Sequence, residues 1–189
     1  MKKGKIFVIS APSGSGKTTL CKRLLKECGN LVVSKSFTTR PLRRGEKNNR
    51  DYIFVTKNEF EKQVRRKNFL EWANVFGNLY GTPKDFVDKK INSGKSVLLV
   101  IDVQGAFKAK RRVPSAVLIF IMPPSIEELK KRLQKRKSDG AKEIKIRLKI
   151  AQREIRKAKK YDYIVVNEKI EHALLELKKI VAQETKPKG

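Results

Sequence analysis

The sequence predicts an α/β fold: an open parallel sheet flanked by helices, interrupted by an inserted α+β segment. Three observations carry this. Four short apolar runs, 6-IFVI-9, 97-VLLVI-101, 117-VLIFI-121 and 164-IVV-166, are continuous and rich in β-branched residues, the pattern of strands covered on both faces of a parallel sheet. Helical patterns separate them, and strand–helix alternation is how such sheets are wound. Residues 34–94 break that rhythm with turn residues, arginines and mixed patterning, and a polar insertion of about 60 residues inside an α/β domain is typically a substrate-binding subdomain.

Residues 6–9 end abruptly in small residues and lead into 17–28, where Leu20, Cys21, Leu24, Leu25 and Cys28 make one stripe of a helix and Gly29 supplies its stop. The two cysteines lie about 10 Å apart along such a helix, too far for a disulfide, and read as buried thiols. Inside the insertion, Thr56 and Glu59 are spaced to cap a helix, and FLEWANVF at 69–76 reads as a strand with Trp72 in the core. Ser125 and Glu128 form a capping box for a helix through Leu129 and Leu133. Residues 134–147 read as a flexible basic stretch, and 169–183 as a last amphipathic helix over Ile170, Leu174, Leu177 and Ile180. The single histidine, His172, falls on a charged segment and is expected at the surface.

The chain has 189 residues, enough to bury a full core. No apolar run approaches the roughly 20 residues that span a bilayer. The basic, then apolar N-terminus MKKGKIFVISAP has an apolar stretch too short for a signal peptide, so a cytoplasmic protein without membrane partners is expected. The net charge of +27 predicts attraction to polyanions. Lysine outnumbers arginine about two to one and is scattered along the whole chain. That distribution predicts non-specific polyanion binding and no dedicated nucleic-acid site.

The stretch 11-APSGSGKT-18 fits the phosphate-loop pattern G-x-x-x-x-G-K-[ST] at every position but the first, where Ala11 replaces glycine. A buried strand precedes it and a helix follows, which is the context the pattern needs. Ala11, Pro12, Ser13, Gly14, Ser15 and Gly16 form the cradle, with the glycines letting successive N–H groups face inward. The positive end of the helix beginning at Lys17, Thr18 and Thr19 completes an anion site. Lys17 reaches the β- and γ-phosphates and the Thr18 hydroxyl is a ligand for Mg²⁺. A nucleoside triphosphate is the expected occupant.

A phosphate loop alone fits ATPases, GTPases and kinases equally. The insertion discriminates: 36-SFTTRPLRRGE-46 and Asp51-Tyr52 are followed by EWA at 71–73 and GNLYGT at 77–82. IDVQG at 101–105, FIMPPS at 120–125, LKKRLQKR at 129–136 and IVVN at 164–167 come next. In this order and spacing the chain resembles guanylate kinase over nearly its whole length. The resemblance implies a phosphate-loop kinase core at 1–33, 95–125 and 150–189. It further implies a GMP-binding insertion at 34–94 and a helical lid at 126–149. It implies transfer of the γ-phosphate of MgATP to GMP, and also to dGMP, by a monomer or homodimer. On matching positions Ser36, Glu71 and Thr82 grip guanine, whose N1–H and 2-amino group a carboxylate accepts together. Adenine has neither donor on that edge, so it leaves the glutamate unpaired. Arg40, Arg43, Tyr52 and Tyr80 match the residues that hold the GMP phosphate, with Glu46 orienting the arginine pair. Arg132, Arg136 and Arg147 match lid arginines. Asp102, at the C-terminal end of a strand, is expected on the acceptor side or on Mg²⁺ through water.

The acceptor phosphate is already anionic, so positioning and charge stabilisation suffice. Lys17, Arg43, Arg136 and Arg147 are the expected catalytic residues. The sequence departs from the family pattern at Val100, where many members carry an acid, and at Phe37, beside Ser36. Two other classes remain open. A scaffold module with the same fold typically lacks a working loop lysine, whereas Lys17 is present here. A nucleic-acid binder would show a helix-turn-helix or RNA-recognition pattern, and neither is visible.

Overall fold

The structure is a computed structural model that describes residues 3–135 and 140–186. Along the chain run β1 (Ile6–Ser10), α1 (Lys17–Glu27), β2 (Leu31–Val33), β3 (Phe37–Thr38) and β4 (Ile53–Phe54). They are followed by α2 (Lys57–Arg65), β5 (Phe69–Val75), β6 (Asn78–Pro83), α3 (Lys84–Asn92), β7 (Ser96–Val100) and α4 (Val103–Arg112). The last elements are β8 (Val117–Met122), α5 (Ile126–Lys135), α6 (Ala141–Lys157), β9 (Tyr163–Val166) and α7 (Ile170–Thr185). All four apolar runs are strands, each extended by a residue or shifted by one.

The chain divides into two compact units. The first comprises residues 1–7 and 30–116. In it β2 and β7 pair in parallel, with Leu31, Val32 and Val33 opposite Ser96, Val97 and Leu98. A second, four-stranded sheet has the order β4-β3-β6-β5. In it β5 and β6 form an antiparallel hairpin with a bulge between Phe69 and Glu71. Phe60 and Phe69 pack with ring centroids 4.6 Å apart, and Phe37 meets Phe69 edge-on at 5.5 Å. The predicted capping box is complete: Thr56 Oγ1 accepts from the Glu59 N–H and Glu59 Oε2 accepts from the Thr56 N–H.

The second unit comprises residues 8–29 and 117–189. Its strand order is β1-β8-β9, with β8 and β9 parallel. Val8, Ile9, Leu20, Leu24 and residues 118–121 are buried to within about a percent of exposure. A satellite cluster joins Leu129 and Leu133 of α5 to Ala151 of α6, with Ile144 and Leu148 packed against it. Ser125 Oγ accepts from the Glu128 N–H, as the spacing predicts.

Several expectations need correction. The 134–147 stretch is not wholly irregular: α5 runs through Lys135 and α6 starts at Ala141, because Ile144, Leu148 and Ala151 give α6 an apolar stripe. β9 is covered on one face only, with Ile164 and Val166 exposed, since it is the outer strand. Helix α1 ends without a left-handed Gly29; Cys28 closes it, its N–H bonded to Leu24 O. Cys28 is half-buried and only Cys21 is fully buried. Trp72 is not core: it is 37% exposed on the outer strand, on the face opposite Glu71, with Lys108 Nζ 4.9 Å from its ring centre. His172 is exposed as expected.

Candidate active site

In the second unit the chain leaves the fully buried β1 and curls through residues 11–16 into α1. Ser15 N–H bonds to Pro12 O. Gly16 sits at φ 84°, the left-handed region, immediately before the helix. The N-cap residue of α1, Gly16, has no side chain to cap the helix, and the first turn of a helix presents backbone N–H groups to an anion. Thr18 and Thr19 are exposed in this first turn and Lys17 is half-buried.

The loop is held from behind by Asn167, whose Nδ2 donates to Ser15 O at 2.7 Å. A trans peptide directs its C=O and the next N–H oppositely, so fixing the Ser15 carbonyl aims the Gly16 N–H away from Asn167. A Cβ on Gly16 would lie 2.3 Å from that same Nδ2. Arg132 is anchored beside it, Nε on Glu128 Oε1 at 3.1 Å and Nη1 on Asn167 O at 3.2 Å. Arg147, in the second turn of α6, donates from Nη1 to Ser13 Oγ at 3.2 Å. Two of the three expected lid arginines therefore border the loop; Arg136 lies outside the described residues. In sequence Asn167 only closes the run IVVN at 164–167 and carries no expected role. Its signal was a polar residue directly after a parallel strand, at the carboxyl edge where ligands collect.

In the first unit the hairpin register assembles a second group. Glu71 stands opposite Thr82, and Ala73 and Thr38 both stand opposite Tyr80. These residues share one face, and period-two alternation brings Ser36 to it as well. Phe37 faces the other way, onto Phe69, so the unusual aromatic belongs to the apolar cluster and not to the Ser36 face.

Glu71 is 4% exposed and accepts a 2.6 Å hydrogen bond from Thr82 Oγ1. Burial pushes its carboxyl up to about 7, and the charge of Asp102 adds to this; the Thr82 bond and the cations Lys108 and Arg112 act in the opposite direction. Asp102 caps α4, taking the Gln104 N–H at 2.9 Å and the Gly105 N–H at 3.1 Å. Gly105 lies so close that a Cβ there would be 2.7 Å from Glu71 Oε2.

The arginine segment is organised around Glu46. Its Oε1 takes Arg40 Nη2 at 2.8 Å and its Oε2 takes the Arg43 backbone N–H at 2.9 Å. Burial opposes the charge, yet these bonds with the Arg40 and Arg43 charges hold Glu46 below the usual carboxylate range. Glu46 thus orients the guanidinium of Arg40 but only the backbone of Arg43, whose side chain is exposed. Arg40 also lies 5.5 Å from the ring centres of Tyr52 and Phe54, and Tyr52 meets Tyr80 edge-on at 6.0 Å. Tyr52 is both packed and in the arginine cluster.

No helix among the described residues is long and apolar enough to cross a membrane. No group of three or more His, Cys, Asp or Glu among them forms a metal cluster.

Residues 3–184 match the family model described as guanylate kinase. The chain is 50% identical over 182 residues to a guanylate kinase of Wolbachia sp. subsp. Brugia malayi, covering 96% of this chain and 93% of that protein. It is 46% identical to a guanylate kinase of Thermotoga maritima, covering 96% and 88%. A crystal structure of guanylate kinase from Anaplasma phagocytophilum superposes with a TM-score of 0.84 at 39% identity, covering all of this chain and 89% of that one.

Proposed function

This chain belongs to the guanylate kinase family, and from that premise we propose that it transfers the γ-phosphoryl group of MgATP to GMP, giving ADP and GDP, in the cytoplasm. The observation that carries the acceptor assignment is the buried Glu71 carboxylate with Thr82 against it. Guanine presents two adjacent donors, N1–H and the 2-amino group, and a carboxylate accepts both. Thr82 spends its proton on Glu71, which leaves Ser36 to donate to O6. AMP offers no donor pair, so its binding would strand a buried carboxylate.

The GMP phosphate is held by Arg40, Arg43, Tyr52 and Tyr80, with Glu46 fixing Arg40. The backbone of 11–16 and the open end of α1 receive the ATP phosphates, and Lys17 neutralises the transferring group. Arg147, and Arg136 from outside the described residues, add charge stabilisation in a low-dielectric setting. Arg132 assists on the ATP side. The acceptor oxygen is already ionised, so no general base is assigned. The Thr18 hydroxyl is a hard oxygen of the kind that suits Mg²⁺ and would serve as a ligand for it, and Asp102 would take part through water. When bound, the ion screens the negative charge on the phosphates.

The test is ADP formation from MgATP with GMP, dGMP, AMP, CMP and UMP offered separately. Turnover with GMP and dGMP is expected, with the others lower in kcat/KM by about 10⁴-fold. Comparable turnover with AMP or a pyrimidine nucleotide would overturn the Glu71 assignment.

A further inference from the structure

β5 is the outer strand of its sheet, so one row of its peptide groups has no neighbouring strand. The bulge between Phe69 and Glu71 disturbs the ladder at the residue that matters most for base recognition. Helix α4 deals with both. Arg112 Nη1 donates to Phe69 O at 2.8 Å, and Lys108 Nζ donates to Trp72 O at 2.7 Å. The two carbonyls bracket Glu71, one on each side of it in sequence. Lys108 and Arg112 are four residues apart and Gly105 is three before Lys108, so all three share a helix face. That face reaches the strand a third time, now at Glu71 itself, through the close approach of Gly105 to Oε2. Lys108 also lies 4.9 Å from the ring centre of Trp72. A cavity of about 280 Å³ lined by Glu71, Trp72, Lys108, Arg111 and Arg112 adjoins the two polar bonds.

We propose that Lys108 and Arg112 are positioning residues for guanine recognition, stapling α4 to the bulged strand so that the Glu71 carboxylate keeps a single orientation. The inference rests on Glu71 being the guanine-binding carboxylate. A carboxylate that accepts two donors at once must lie in the plane of the base with both oxygens in register, and a small rotation loses one bond. IMP, which lacks the 2-amino group, demands only one. Loosening the staple therefore costs GMP more than IMP, whereas a change that merely destabilised the domain would cost both alike.

The experiment measures kcat/KM for GMP and IMP, together with KM for ATP and the melting temperature, in K108M, R112M and the double variant. K108R and R112K serve as donor-retaining controls and E71Q as the reference. The double variant should lose the GMP-over-IMP preference by about tenfold, mainly through KM for GMP, and each single variant by about threefold. KM for ATP should stay unchanged, and K108R and R112K should keep most of the preference. A double variant that keeps the preference while E71Q loses it overturns the staple. Should the double variant not fold, unchanged preferences in both singles do the same. A preference retained in E71Q removes the Glu71 assignment, and the staple with it.

Discussion

The two units hold their candidate groups by opposite means. The loop at 11–16 works through its backbone: a left-handed Gly16, a carbonyl pinned by Asn167 and an uncapped helix end. The group around Glu71 works through side chains that are already paired, Thr82 on Glu71 and Glu46 on Arg40. The difference matches the ligand parts proposed for them. A phosphate is a charge that any convergent set of N–H groups satisfies. A purine edge is a pattern of donors and acceptors, and only fixed side chains can match it.

This comparison can be broken most decisively at Lys17. Lys17→Ala should reduce phosphoryl transfer by at least about 10³-fold, with a melting temperature near that of the parent chain. Retained turnover would show that the backbone cradle alone suffices. The next test concerns the cost of a side-chain site. Glu71 titrates at about 7 in the fold against 4.5 for an unperturbed carboxyl, so the folded state holds this proton more tightly than the unfolded chain. The resulting stability is fully present below pH 4.5 and is lost as pH rises through about 7, on the order of 3 kcal/mol in all. Glu71→Gln should remove that component of the pH dependence, as read by urea unfolding at pH 5 and pH 8. An unchanged pH slope would mean that Glu71 is ionised without penalty. The smallest effect is expected at Thr56, whose capping-box bonds run to Glu59 and support α2. Thr56→Ala should cost about 1 kcal/mol of stability and leave KM for GMP unchanged; a raised KM would make α2 part of the acceptor site.

The same contrast decides how much was legible in the sequence. A backbone-built loop needs its residues adjacent, so 11-APSGSGKT-18 stands out as a string, and the apolar runs that became β1, β7, β8 and β9 need only local burial. A side-chain site is assembled by register, which no local pattern encodes. Residues 36–82 suggested a second ligand as scattered polar positions, and their roles came from the resemblance to a family. Only the pairing of Glu71 with Thr82, and of Tyr80 with both Thr38 and Ala73, puts them on one face. β2 escaped notice because three residues, LVV, are too short to show a period. The first turns of α6 were obscured by lysines and arginines, although Ile144 already belongs to the stripe of Leu148 and Ala151. Trp72 looks like core in sequence because an apolar side chain does not reveal that its strand is the outer one of the sheet.

The most direct test of two independently built sites is calorimetric titration of MgATP and of GMP, each alone, into the parent chain, Lys17→Ala and Glu71→Gln. Glu71→Gln should weaken GMP by about a hundredfold and leave MgATP untouched, and Lys17→Ala should do the reverse. If either substitution weakens both ligands equally, or if Glu71→Gln binds GMP like the parent chain, the division between a backbone phosphate site and a side-chain guanine site is wrong.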